Sequence, residues 1–305
     1  MVRTAERLED LLRSLEVLRG HLRPGGPDRI SLRAVVDDDL LLEHATTIET
    51  WVEAALPLSG VLTGCSLVYL GANHASRACN PADVERCRRN VERAAAESVR
   101  SASAVAERAL THGYRLEVLD AEQRLGDPRL VAGIARLYRR FGWSDSDTRR
   151  LLGSPDTLLG VAWRGDEVTC AGLAEQVLLR FGDGEELRLA EFTEAATHDA
   201  HRRRGLYSAV CGALMAELVD RSRRNAVLGG GIDLAFGECS GLDGGVLVAA
   251  TRLGRRFACR ARIDLPFAGV LRQHVPIDGT PRATPYNDLY PTFITADALE
   301  RWVET

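Results

Sequence analysis

The chain has 305 residues, 45% hydrophobic and 27% charged, which is enough apolar material for a sizeable core and about two domains. A net charge of −4 creates no field that favours nucleic acid, and no apolar run approaches the roughly 20 residues of a membrane span. The seven cysteines are scattered, with no CxxC pair and no Cys/His cluster at ligand spacing, which fits free thiols in a reducing cytoplasm and predicts no metal site. All 39 positively charged side chains are arginine. This reads as the codon bias of a GC-rich bacterial genome and points to no function. The first residues, "MVRTAERLEDLLRSLEVLRGHL", are charged and amphipathic and lack the apolar core of a secretory signal.

Residues 1–113 are expected to form a mostly helical region. Apolar residues in "LEDLLRSLEVLRGHL" recur at three- and four-residue steps. After the loop "RPGGPD" comes a short alternating piece (Ile30, Leu32, Ala34, Val36), then a helical stretch through Trp51. The Gly-rich apolar run 57–73 fits either a strand or a buried loop. From Asn80, with Pro81 at the first helical position, one helix of about 30 residues is expected to end at Gly113. A helix that long predicts packing across a second domain or a homodimer partner.

The texture changes at residue 114, where a domain running to 305 begins. "YRLEVLD" reads as a strand, "PRLVAGIARLYRRFGW" as a helix, and "SDSDTRRLLGS" as a second helix capped by Ser144. Three strand-like runs follow, separated by the turn signals RGDE and GDGEE. Helix, strand, helix and strand complete the order. The fold class expected is α/β, a mixed sheet flanked by helices.

The stretch "THDAHRRRGLYSAV", residues 197–210, lies at a strand–loop–helix junction. The first N–H groups of a helix are unpaired and sit at the positive end of its dipole. Gly205 removes a Cβ, and Arg202, Arg203 and Arg204 add charge at the mouth. The chemistry is that of a pyrophosphate site.

The same residues resemble the acyl-CoA signature of the GCN5-related N-acetyltransferases (GNAT), (Q/R)-x-x-G-x-(G/A), as Arg202-x-x-Gly205-x-Tyr207. The strand end before them, Glu194-Ala195-Ala196-Thr197-His198-Asp199, is also similar, and the resemblance covers roughly residues 115–295. Tyr207 departs from the small residue usual at the last position, so its side chain must point away from phosphates. The resemblance implies acetyl-CoA as co-substrate. The backbone from Arg203 through Leu206 and Tyr207 to Ser208 would hold its pyrophosphate, and the edge of Ala195, Ala196 and Thr197 would pair with the pantetheine arm.

Transfer of an acyl group to an amine needs a base for the amine proton. Many members of the family use a carboxylate on the strand before the loop, where Glu191 and Glu194 stand. Simple alternation puts these two on opposite faces unless a bulge intervenes, and Glu194 is the favoured base. The family's terminal tyrosine falls at Ala250 and is missing. The tail offers substitutes, with Tyr286 as a catalytic candidate and His274 and Asn287, together with Glu238, as substrate contacts. The C-terminal third resembles bacterial β-lysine-type acetyltransferases, which implies a small-molecule amine as acceptor. Two alternatives remain open: a non-catalytic acyl-CoA-binding protein, and an acyltransferase whose substrate rides on a carrier protein.

Overall fold

The computed structural model describes residues 1–23, 26–58, 62–74, 77–78, 81–140, 142–182, 184–224, 231–258, 269–271, 275–276 and 288–305. It divides into two units, one of Met1–Ala95, Glu238–Leu247 and Arg256–Phe293, the other of Ala96–Gly237, Val248–Arg255 and Ile294–Thr305. The boundary therefore falls at Ala95/Ala96 and not at 113. The single long helix expected from Asn80 is two helices, α4 (Pro81–Ala95) and α5 (Ala102–Thr111). The break has a local cause: the Ser101 side chain accepts from the Ala104 N–H and starts a new helix. Val105 and Ala109 of α5 are buried in the core of the second unit.

The first unit is not mostly helical. It contains α1 (Ala5–Arg19), β1 (Arg29–Asp37), α2 (Asp38–Glu43), α3 (Ala45–Ile48), β2 (Val52–Pro57) and β3 (Cys65–Asn73). The strands form an antiparallel sheet of order β1-β3-β2. Leu8 and Leu15 of α1 join Val36, Leu41, Ile48, Trp51 and Val68 in one core. β2 and most of β3 are buried along consecutive residues. Strands buried on both faces show no alternation, so their period is invisible in the sequence. Two short strands, β4 (Arg77–Ala78) and β11 (Val275–Pro276), pair antiparallel.

In the second unit the strands and helices read from the sequence recur in order, with two helices not read from it: a short one after the first strand and a final helix where a β tail is expected. The order runs β5 (Arg115–Leu119), α6 (Ala121–Leu125), α7 (Pro128–Arg139), α8 (Asp145–Leu152), β6 (Thr157–Arg164), β7 (Glu167–Arg180), β8 (Glu186–Thr197), α9 (Leu206–Arg224), β9 (Leu234–Ser240) and α10 (Gly244–Arg252). β10 (Arg256–Phe257), β12 (Leu289–Thr295) and α11 (Ala296–Val303) complete the chain. The sheet order is β10-β12-β9-β8-β7-β6-β5, and β9 and β12 each run on from one unit into the other. Strands β5 to β8 are antiparallel neighbours, whereas β8 and β9 are parallel. This is the mixed sheet flanked by helices that the sequence predicts.

Alternation along the strands supplies two cores. Leu158, Ala162, Cys170, Ala174, Ala190 and Phe192 meet Val210, Leu214 and Met215 of α9. On the other face Leu159, Val161, Ala171 and Leu173 meet Leu130, Ile134 and Tyr138 of α7 and Leu152 of α8. Gly160 lets α9 approach, since a Cβ there would stand 2.8 Å from Val210 Cγ1 and 2.9 Å from Leu214 Cγ. At Gly172 the same addition would meet only Val210, at 3.5 Å. Gly160→Ala should therefore lower unfolding free energy by about 1–3 kcal/mol, and Gly172→Ala by clearly less, as read from urea melts of the two variants.

Candidate functional site

β8 does not alternate to its end. Ala171 pairs with Ala196 and Leu173 with Thr193, so two steps on β7 face three on β8. Phe192 lies in the α9 core and Ala196 in the α7 core, although both positions are even. The parity changes at Glu194, whose φ of 49° is left-handed. The bulge thus overturns the simple alternation of Glu191 and Glu194. Glu175 faces Glu191 across the β7–β8 pair, and both charges bear on Glu194. Burial first, then Glu175 and more weakly Glu191 raise the Glu194 pKa, against a lowering hydrogen bond from Thr193. Tyr138 of α7 is fully buried, and among the described residues its hydroxyl has no hydrogen-bond partner. Its pKa is raised by burial and then by the charge of Glu194.

β8 and β9 part company at the same place. Their parallel register ends at Glu191 with Phe236, while β8 continues to Thr197 and β9 to Ser240. Ala195–Thr197 therefore follow the last residue of β8 that pairs with β9 among the described residues. Thr197 is held from the other side. Its carbonyl accepts from Arg140 at 2.9 Å, and its hydroxyl lies 3.2 Å from Cys170 Sγ. Burial pushes the Cys170 thiol up to about 12, which removes it as a nucleophile.

Between β8 and α9 the chain makes one 3-10 turn, Asp199–His201, with His198 as its cap. His201 is buried, with the Tyr114 hydroxyl 2.8 Å from its Nδ1 and Glu167 3.6 Å from its Nε2. This ring pins the turn to the core. Arg203 then takes φ 64° and Gly205 φ 80°. α9 opens at Leu206, whose side chain is buried, and the first N–H bonded within its frame is Ala209, to the Gly205 carbonyl at 3.0 Å. The N–H groups of Leu206, Tyr207 and Ser208 precede it. Tyr207 is partly buried and packs against the α9 core. Arg202 pairs with Asp199 at 2.8 Å, and Arg140 binds the same carboxylate at 3.0 Å. Behind the loop, a Cβ on Gly205 would stand 3.2 Å from Arg108 Cδ. Arg108 and Arg140 add charge here that the sequence motif does not contain.

Glu167, His198 and His201 hold donor atoms within 4.8 Å of one another. Both rings already serve the turn. Burial lowers the His201 pKa, Glu167 opposes this, and His198, Arg164 and Arg204 lower it further. Ala250 is fully buried. In the first unit Glu238 pairs with Arg33 at 2.8 Å. His274, Tyr286 and Asn287 lie outside the described residues.

No family model matches the sequence, and no curated protein sequence matches it. Among solved structures, the chain is similar to the ribosomal-protein-S18-alanine N-acetyltransferase from Escherichia coli, at 14% identity over 60% of this chain and 94% of that one, with a TM-score of 0.41. NAA60 of Arabidopsis thaliana in complex with acetyl-CoA matches at 14% identity over 60% and 99%, with a TM-score of 0.42. Aminoglycoside 6'-acetyltransferase type Ii matches at 13% over 60% and 97%, with a TM-score of 0.39. All three are acetyltransferases.

Because the folded pKa of Glu194 is raised above its ordinary 4.5, the native state binds this proton more tightly than the unfolded chain. That contribution is present below the unfolded pKa and is lost as pH rises through the folded one. Glu194→Gln should match the parent near about pH 4 and become the more stable protein as pH rises toward about 8. Thermal melts across this range should show the two Tm curves diverging with pH.

Proposed function

We propose that the second unit is an acyl-CoA-dependent N-acyltransferase of the GNAT type, acting on the amine of a small molecule. One observation carries the reading: β8 bears a raised-pKa carboxylate at a bulge, loses its β9 partner at the same level, and ends in a glycine loop at a helix N-terminus. The fit to a thioester of coenzyme A is chemical. The N–H groups from Arg203 to Ser208 and the charges of Arg202, Arg204 and Arg108 suit a pyrophosphate. The edge at Ala195–Thr197 suits the amide groups of a pantetheine arm, as an added strand would. Acetyl-CoA is the simplest donor of this class.

In the reaction the amine nitrogen bonds to the thioester carbon, the C–S bond breaks, and its electron pair leaves on sulfur. The amine must first be neutral. Glu194 takes its proton, directly or through one water, and the raised pKa brings the carboxylate closer to operating pH. Glu175 and Glu191 attract the incoming ammonium to the same face. The Tyr138 hydroxyl, buried beside these charges, is a donor that can hold the acceptor or the Glu194 carboxylate in place. The thiolate takes its proton from water, because Ala250 offers none. A non-catalytic binder would gain nothing from a strained, buried carboxylate at this point.

Two measurements test the reading. Gly205→Asp brings a carboxylate to the phosphate loop at a left-handed position, and coenzyme A binding should disappear in calorimetry while the fold persists by circular dichroism. Unchanged affinity would sink the assignment. Glu194→Gln keeps the shape without the base, so kcat should fall by about 10² to 10⁴ with near-normal coenzyme A affinity. Glu191→Gln, on the same face but off the bulge, should cost far less.

A further inference from the structure

Arg255 is 3% exposed, and among the described residues its Nε, Nη1 and Nη2 all lack a hydrogen-bond partner. It follows Gly254, which takes φ 78° after α10, and its backbone N–H bonds to the Ala250 carbonyl at 3.0 Å. Its guanidinium lies 5.2 Å above the Phe192 ring. The stacking satisfies one face of the cation and none of its N–H groups. A buried charge left in this state is costly, so the arrangement calls for an anion from outside the chain.

The position says which anion. Phe192 and Gly237 are the residues directly after the last β8–β9 pair, Glu191 with Phe236. A Cβ on Gly237 would collide with Arg255 Nη2 and stand 2.7 Å from the Phe192 carbonyl. Arg255 thus stands where the β8–β9 pairing ends among the described residues, against a glycine that leaves room for its guanidinium. It lies on the Phe192 face, which is also the face of α9 and its phosphate loop. The three carboxylates that suit an ammonium are associated with the opposite face. From Phe192 to Glu194 is two residues, about 6–7 Å of extended strand.

We propose that Arg255 binds a terminal carboxylate on the acyl group, so that the donor is the coenzyme A thioester of a short dicarboxylic acid. The inference rests on the acyltransferase reading. A carboxylate accepts two parallel N–H bonds from a guanidinium, whereas a lone thioester oxygen would leave most of the donors unmet. Transfer then proceeds with the same bonds made and broken, and the distal carboxylate is unchanged.

The test needs no acceptor amine. Calorimetry on the full chain compares coenzyme A, succinyl-CoA and butyryl-CoA, the last two having acyl chains of equal carbon number. Succinyl-CoA should bind at least about tenfold more tightly than butyryl-CoA. Arg255→Met should abolish that ratio while leaving coenzyme A affinity intact, and Arg255→Lys should keep part of it. Equal affinities in the parent protein would overturn the inference, and that result needs no variant to fold. An equal loss for both thioesters in Arg255→Met would also overturn it, assigning the side chain to the thioester or to the fold. Coenzyme A binding with no preference would leave the acyltransferase reading standing without this donor. Failure to bind coenzyme A at all would remove both.

Discussion

The extra residue that β8 carries against β7 sets the parity of everything downstream of it. Up to Phe192 the strand presents even positions to α9, and by Ala196 it presents them to α7. Without that change Glu194 would not share the environment of Glu175, Glu191 and Tyr138, and the backbone entering the Asp199–His201 turn would be rotated by one residue. The pairing with β9 also stops near this level among the described residues. A local irregularity in one ladder therefore sets where Glu194 stands and how the chain enters the loop.

The same irregularity divides charge between the two sides of the sheet. The face of α7 carries carboxylates and a buried phenol, while the face of α9 carries the loop arginines, Arg108 and the unpaired Arg255. A cationic amine and an anionic thioester would be drawn to opposite sides of one strand and meet only where the sheet is open.

Much of the second unit was legible because it is built from local signals. The RGDE turn, the Ser144 capping box and Asp127 before Pro128 each mark a boundary without help from distant residues. Gly205 and its arginines likewise mark the loop before α9, whose left-handed backbone at Gly205 only the structure shows. The bulge has no such marker, since glutamate is not a turn residue and only the β7 register makes it necessary. Tyr138 reads as one more apolar residue of an amphipathic helix, and Arg255 as one arginine among many. Both come to the site from far along the chain, and no spacing connects them to it. The sheet of the first unit was hidden for a different reason: β2 and β3 are covered on both sides, so neither period shows.

Among the described residues, only Glu194 and Arg203 take a left-handed backbone with a side chain. They stand at the two ends of the β8–loop segment. Every other left-handed position described is a glycine, the residue that suits it. A redesign of this chain for stability alone would therefore begin by replacing these two residues, together with the uncompensated cation at 255. It would return a hardier protein without the proposed base, the set of its loop or the proposed anchor for the donor. The places where the sequence serves its own fold least well outline the site more sharply than any motif, and they would be the first features to vanish under optimisation for folding.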